Sequence, residues 1–165
     1  MREAYTIPNL MQHLEERGNR PALISVRGGV LDILSGEALA KRSQALARQM
    51  QESGTKPGEP VALIAPNGFE WVIARFAIAT ANAMAVPIDD AATDTDIQAI
   101  LSGCKATRAI CIVAKAKALK AANPNLRILA LGDGPLPEGV ARFEYPPCAT
   151  PSVSAEAPDT SPAML

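Results

Sequence analysis

From position 60 to 89 apolar residues stand almost without a break, and the pattern divides that run into strand, helix and strand. Positions 61–65 form an unbroken apolar strand, positions 69–81 a helix, and positions 84–88 a second strand. Asn67 and Glu70 stand at capping-box spacing ahead of the helix. This helix carries apolar residues on every side, which predicts that it is buried on every side. The same theme then repeats. Thr93 and Asp96 open a helix whose inward face is Ile97, Ile100, Leu101 and Cys104. Positions 108–113 read as a strand, 114–122 as a short Ala/Lys helix and 126–131 as a strand. Apolar strands alternating with helices predict βαβ units and a mainly parallel sheet covered on both faces.

The first sixty residues follow a different pattern. Ile7, Leu10, Met11 and Leu14 fall at helical spacing behind Thr6 and Pro8, and Gly18 closes that helix. Positions 22–26 and 30–34 read as strands joined through Arg27, Gly28 and Gly29, a hairpin signal. Ser35 caps a longer helix with its apolar face at Leu39, Ser43, Leu46, Ala47 and Met50, ended by Gly54. Lys56, Pro57, Gly58 and Glu59 form a turn. Beyond position 131 the composition shifts: seven of the fourteen prolines fall in the last 31 residues, and no helix or strand period is legible from 132 to 158. The expected architecture is therefore α/β. It has an N-terminal helix and hairpin, a parallel sheet flanked by helices over 1–131, and a Pro-rich irregular tail over 132–165.

Charge and composition narrow the function classes. A net charge of −1 argues against a nucleic-acid or anionic-membrane surface. The short basic run Lys115, Lys117 and Lys120 reads as a solvated helix face. Segment 71–88 is broken by Arg75, Thr80, Asn82 and Pro87, so a membrane span is not expected. Cys104, Cys111 and Cys148 are odd in number and lack CxxC spacing, which indicates neither a disulfide framework nor a zinc site. The first residues carry no apolar signal-peptide core, and a reducing cytoplasm is the expected compartment.

Few residues point to chemistry. Gly132, Asp133 and Gly134 follow a strand, but Pro135 and Pro137 follow them, so the dinucleotide fingerprint fails and a turn remains. Asp89 and Asp90 stand at a strand's carboxyl end, where α/β proteins bind ligands. A magnesium-binding, receiver-like site would need a further acid after strand 61–65, where Asn67 stands, and a lysine after strand 126–131, where Gly132 stands. A turn or cap is the simpler reading. His13, the only histidine, lies on a peripheral helix with no visible nucleophile paired to it. Trp71 and Phe76 are read as core, with the wall of an acyl or aryl pocket as their functional alternative.

Four segments in order resemble the N-terminal part of the AMP-binding, adenylate-forming enzymes such as acyl-CoA synthetases. Arg20-Pro21-Ala22-Leu23-Ile24 resembles that family's first strand. Leu34-Ser35-Gly36-Glu37-Ala38-Leu39, with Arg42, Leu46 and Ala47, resembles its L-[ST]-Y-x-E-L segment. Gly54-Thr55-Lys56-Pro57-Gly58-Glu59-Pro60-Val61-Ala62-Leu63-Ile64-Ala65-Pro66-Asn67 resembles its G-x-x-P-G-D-x-V-A-L-x-x-P-N run. Ala81-Asn82-Ala83-Met84-Ala85-Val86-Pro87-Ile88-Asp89 resembles its A-G-x-x-x-V-P-[IL]-D segment. Gly36 replaces a usual tyrosine, Ala38 a frequent glutamate, Glu59 an aspartate and Asn82 a glycine. Asparagine and glycine both suit a helix C-terminus.

The resemblance implies that a full enzyme activates a carboxylate with ATP and Mg²⁺ to an acyl-adenylate, then passes the acyl group to a thiol such as coenzyme A. It also implies that the chain stops before the family's Y-T-S-G-T-T-G-x-P-K phosphate loop. No catalytic, cofactor-binding or metal residue is therefore carried onto a position here, and Trp71 and Phe76 remain only as possible pocket wall. The expected partners are the missing C-terminal parts of the same enzyme and a second copy held through exposed apolar surface. Two alternatives stand beside this: a non-catalytic α/β interaction module, and a receiver-like Mg²⁺-binding domain around Asp89.

Overall fold

The computed structural model describes residues 7–27, 30–144 and 155–156. Helix α1 covers Ile7–Glu16 and strands β1 and β2 cover Pro21–Arg27 and Val30–Ser35. Ser35 then caps α2, Gly36–Glu52, its hydroxyl accepting from the Ala38 amide at 3.2 Å. The face expected from the sequence, Leu39, Ser43, Leu46, Ala47 and Met50, is buried. The chain continues as β3 Pro60–Ile64, α3 Phe69–Thr80, β4 Met84–Ile88, α4 Asp94–Cys104, β5 Arg108–Ile112, α5 Val113–Ala122 and β6 Arg127–Leu131. Two further strands are β7 Val140–Arg142 and β8 Ala155–Glu156.

Strands β3 to β7 form one five-stranded sheet in the order β4-β3-β5-β6-β7, with every pair parallel. Pro87 sits in β4, which pairs only with β3; an edge strand can tolerate a residue that lacks an amide donor. Strand β7 lies in the Pro-rich stretch where no strand period is legible. Its three residues are too few to show alternation, and pairing with β6 decides its state. The hairpin β1–β2 is antiparallel and β8 pairs with the far edge of β2.

Alternation along the parallel strands separates two cores. Val61, Leu63, Ile110 and Leu131 face α1, α2 and α3. Ala62, Ile64, Ala109, Cys111, Ile128 and Ala130 face α4 and α5. Parallel crossovers are right-handed, so the step from β3 to β4 places α3 on one face, and the opposite steps to β5 and β6 place α4 and α5 on the other.

Three expectations are corrected. The N-cap of α3 is Gly68 with no side-chain hydrogen bond, so Asn67 and Glu70 do not form a capping box. Helix α3 is fully buried only at Ile73, Ala74, Ala77 and Ile78, whereas Trp71, Val72 and Phe76 are half-buried. The helix packs against α2, β3 and β4, and those contacts cover Ile73, Ala74, Ala77 and Ile78 but leave its other side chains partly open. On α4, Ile97 and Leu101 are buried, but Ile100 is 37% exposed because it flanks the contact stripe.

Candidate functional site

The strand order places the switch point between β3 and β5. These neighbours send their chains to opposite faces, into α3 and α5, and doubly wound sheets bind ligands outside the carboxyl ends at such a point. A cavity of about 270 Å³ opens beside it, lined by residues from the ends of β3 and β4 and the first turn of α3. Ala65 and Asn67 follow β3, Pro87 to Asp90 come from β4 and its exit, and Trp71 supplies the side wall. Trp71 therefore stands at a cavity by the carboxyl ends of β3 and β4. Phe76 does not line this cavity; it packs half-buried against the core on the α2 side.

The two carboxylates at the rim are engaged in local structure. Asp89 Oδ1 accepts from the Ala91 amide at 2.9 Å, and the Asp89 carbonyl accepts from the Ala92 amide at 3.0 Å. Thr93 then caps α4, its Oγ1 accepting from the Asp96 amide at 3.2 Å and donating to Asp96 Oδ2 at 2.6 Å. This is the turn and cap that polar residues make between strand and helix. Among the described residues no group of three or more His, Cys, Asp or Glu side chains stands together to hold a metal ion. Trp71 and Pro87 give the cavity an apolar side, facing the polar Asn67, Asp89 and Asp90. Among the described residues it presents two acids and no lysine or arginine, so these residues do not fit a triphosphate, whose charge they would repel.

Other singled-out positions prove structural. His13 is exposed, with Nδ1 3.3 Å from Glu16 Oε2. Gly132 and Gly134 adopt positive φ, and their carbonyls accept from the Arg142 guanidinium. Cys111 is fully buried, and that burial pushes its thiol up to about 12, leaving it inert. Cys104 is half-buried and Cys148 lies outside the described residues. Lys120 is not a free member of a solvated face: Nζ donates to the Pro124 and Leu126 carbonyls at 2.8 and 3.1 Å.

The strongest polar network went unread in the sequence and lies at the opposite edge of the sheet. Arg108 opens β5, with Nε donating to Glu59 Oε1 at 3.0 Å, Nη1 to Ser53 Oγ at 3.0 Å and Nη2 to the Ser53 carbonyl at 2.8 Å. Thr107 Oγ1 and the Lys56 amide also donate to the Glu59 carboxylate, at 2.8 and 2.9 Å. Burial alone would push the Glu59 carboxyl up. The Lys56 amide, the Thr107 hydroxyl and the Arg108 guanidinium together outweigh burial and hold it below the usual carboxylate range. An arginine at the first position of an apolar strand, after a glutamate at the first strand's entry, was the available signal.

A sequence model of AMP-binding enzymes matches residues 10–163. A Streptomyces griseus protein called Protein Y is 31% identical over 99 residues, 60% of this chain and 31% of its own length. Among solved structures, the anthranilate CoA ligase AuaEII superposes with a TM-score of 0.72 at 23% identity, over 86% of this chain and 27% of that one. A fatty acid AMP ligase from Legionella pneumophila superposes with a TM-score of 0.65 at 21% identity, over 70% of this chain and 21% of that one. At such identities the structural likeness shows the fold. The chain thus spans less than a third of the length of each of these relatives.

Proposed function

The chain belongs to the AMP-binding enzyme family, and we propose that it is the opening α/β part of an adenylate-forming acid–thiol ligase. The complete enzyme would join a carboxylate to AMP, with pyrophosphate leaving from ATP, and then exchange AMP for a thiol such as that of coenzyme A. Carboxylate oxygen is a poor leaving group and AMP a better one, so activation precedes transfer. The developing negative charge on the phosphates needs donors and a divalent cation. Those would come from other parts of the enzyme, because the cavity at the carboxyl ends of β3 and β4 offers acids and no cation. The contribution of this chain is a scaffold layer and, through Trp71, one apolar wall for the acyl group. Cytoplasmic location accords with this reading, and no described helix is long and apolar enough to cross a membrane.

The observation that carries the proposal is the family match across residues 10–163 together with a sheet edge that lacks a phosphate cradle. The 165-residue chain is expected to show no ATP–pyrophosphate exchange with any carboxylate, and no binding of ATP and Mg²⁺ tighter than about 1 mM, or −4 kcal/mol, by calorimetry. Exchange, or tighter binding, would mean that the nucleotide site is already here. The coding sequence past Leu165 is expected to enter a Ser/Thr/Gly-rich loop bearing a lysine. A stop codon there would instead favour the interaction module.

Ile24 and Val26 on β1 are each 61% exposed, and their cross-strand partners Ile33 and Leu31 share the same face. We propose that the isolated chain pairs with a second copy through this apolar hairpin face.

A further inference from the structure

The chain has six asparagines, and Asn67 is the one followed by a glycine. An asparagine carboxamide can be attacked by the amide nitrogen of the next residue. A following glycine leaves that approach open because it carries no Cβ. The attack also needs a successor amide that is not already donating, and a backbone outside regular structure. Asn67 and Gly68 lie between β3 and α3 and belong to neither. Asn67 is exposed, and no side chain caps α3, so its carboxamide is not held at the helix start. The Gly68 carbonyl accepts from the Val72 amide at 3.2 Å, but the Gly68 amide itself donates to no described residue.

The other asparagines lack this combination. The amide after Asn19 donates to the Arg17 carbonyl at 3.2 Å, the amide after Asn82 to the Ile78 carbonyl at 3.0 Å, and the amide after Asn125 to the Asn123 carbonyl at 3.0 Å. Asn123 precedes Pro124, which has no amide proton, and its own carboxamide donates to the Leu119 carbonyl at 3.1 Å. Asn9 lies inside α1 and precedes Leu10. Asp133 also precedes a glycine, but its carboxylate offers no ammonia leaving group.

We propose that Asn67–Gly68 is a site of spontaneous deamidation, which places a third carboxylate at the cavity beside Asp89 and Asp90. The Gly68 amide gives up its proton and its nitrogen attacks Asn67 Cγ. The new N–Cγ bond closes a five-membered succinimide, the Cγ–Nδ2 bond breaks, and ammonia leaves with the proton. Water then opens the ring. Attack at Cγ gives aspartate in an unchanged main chain. Attack at the residue 67 backbone carbonyl gives isoaspartate, with the main chain running through Cβ and Cγ. Either product adds a carboxylate to a cavity already lined by two acids. The isoaspartate form also lengthens the main chain by one carbon just ahead of the first turn of α3, which carries Trp71. The inference does not depend on the adenylation reading.

The test is timed incubation of the 165-residue protein in mildly alkaline buffer, read by peptide mass mapping and by an isoaspartate-specific methyltransferase. Asn67 is expected to convert at least about tenfold faster than any other asparagine, with isoaspartate in the same peptide. Gly68→Ala is expected to slow that conversion at least about tenfold. Gly68 stands at φ 168°, an extended backbone open to alanine, so this variant is expected to fold. The Trp71 and Asp90 amide shifts are expected to move in step with conversion, and Asn67→Asp to reproduce those of the aspartate product. Conversion of Asn82 or Asn125 as fast as Asn67 would overturn the proposal. So would an Asn67 that stays intact in the folded protein while it converts in urea, a comparison that needs no variant. Conversion that leaves the Trp71 and Asp90 amides unmoved would overturn the new charge's place at the cavity.

Discussion

Arg108 holds its side chain only 9% exposed against a Glu59 carboxylate 18% exposed, and both are at strand entries. A buried pair of this kind gains little over an apolar pair, but removing one partner strands the other. Glu59→Gln is therefore expected to cost about 3 kcal/mol at neutral pH, read as a fall in the urea midpoint. The pH dependence has a defined sign. Because the folded-state pKa of Glu59 lies below 4.5, its contribution is complete above that value and is lost as pH falls through the folded pKa. The gap between parent and variant should close in acid. A gap that stays constant from pH 7 to pH 3 would show that the Glu59 charge does not stabilise the fold. Gly36 shows a different constraint. A Cβ there would meet the Leu14 carbonyl at 2.4 Å, which explains why α1 and α2 can cross so closely where the family usually carries tyrosine.

Helix ends account for much of the shape of the elements. Helix α3 closes with Asn82 at φ 57°, the Asn82 amide bonding to the Ala79 carbonyl and the Ala83 amide to the Ile78 carbonyl. That is the paired bonding of a left-handed C-terminal cap, and asparagine adopts it where the family has glycine. Helix α4 ends on Lys105 at φ 54°, with the Ala106 amide bonding back to the Leu101 carbonyl. Lysine has no local hydrogen bond to offset that conformation. Lys105→Gly is expected to raise stability by about 0.5–1 kcal/mol, and Lys105→Val to lower it by about 1–2 kcal/mol, in denaturant midpoints at unchanged slope. Equal midpoints for all three proteins would mean that the left-handed turn is not populated. The cap of α3 was legible as a helix stop in the sequence, since Asn82 follows the apolar run. The cap of α4 was not, because lysine carries no preference for positive φ.

For the whole molecule, the parallel sheet is sealed on both faces near β3 and β5, while the hairpin leaves Ile24 and Val26 in water. Apolar side chains adjacent on an edge strand favour pairing with another chain. The protein is expected to self-associate in sedimentation equilibrium across a concentration series, and Ile24→Lys with Val26→Lys to return it to monomer. A parent that stays monomeric at every concentration and binds no hydrophobic dye would show that this face is tolerated in water.

The order of elements from residue 7 to 131 was legible because the strands of the parallel sheet are short apolar runs and turn residues separate them from the helices. Asp89 and Thr93 carried their turn and cap roles in their residue types alone. The strand order was not legible, because short apolar strands do not encode which neighbour they join; the pairing itself decides it, and crossover handedness then sets the face each helix takes. Strand β7 was hidden for the same reason, since three residues acquire a state only by pairing with β6. Trp71 was marked by its type, but its place at a cavity, and the separation of Phe76 from it, depend on where α3 meets the ends of β3 and β4. Glu59 and Arg108 stand 49 residues apart in sequence, and only tertiary packing brings that carboxylate and guanidinium into one network.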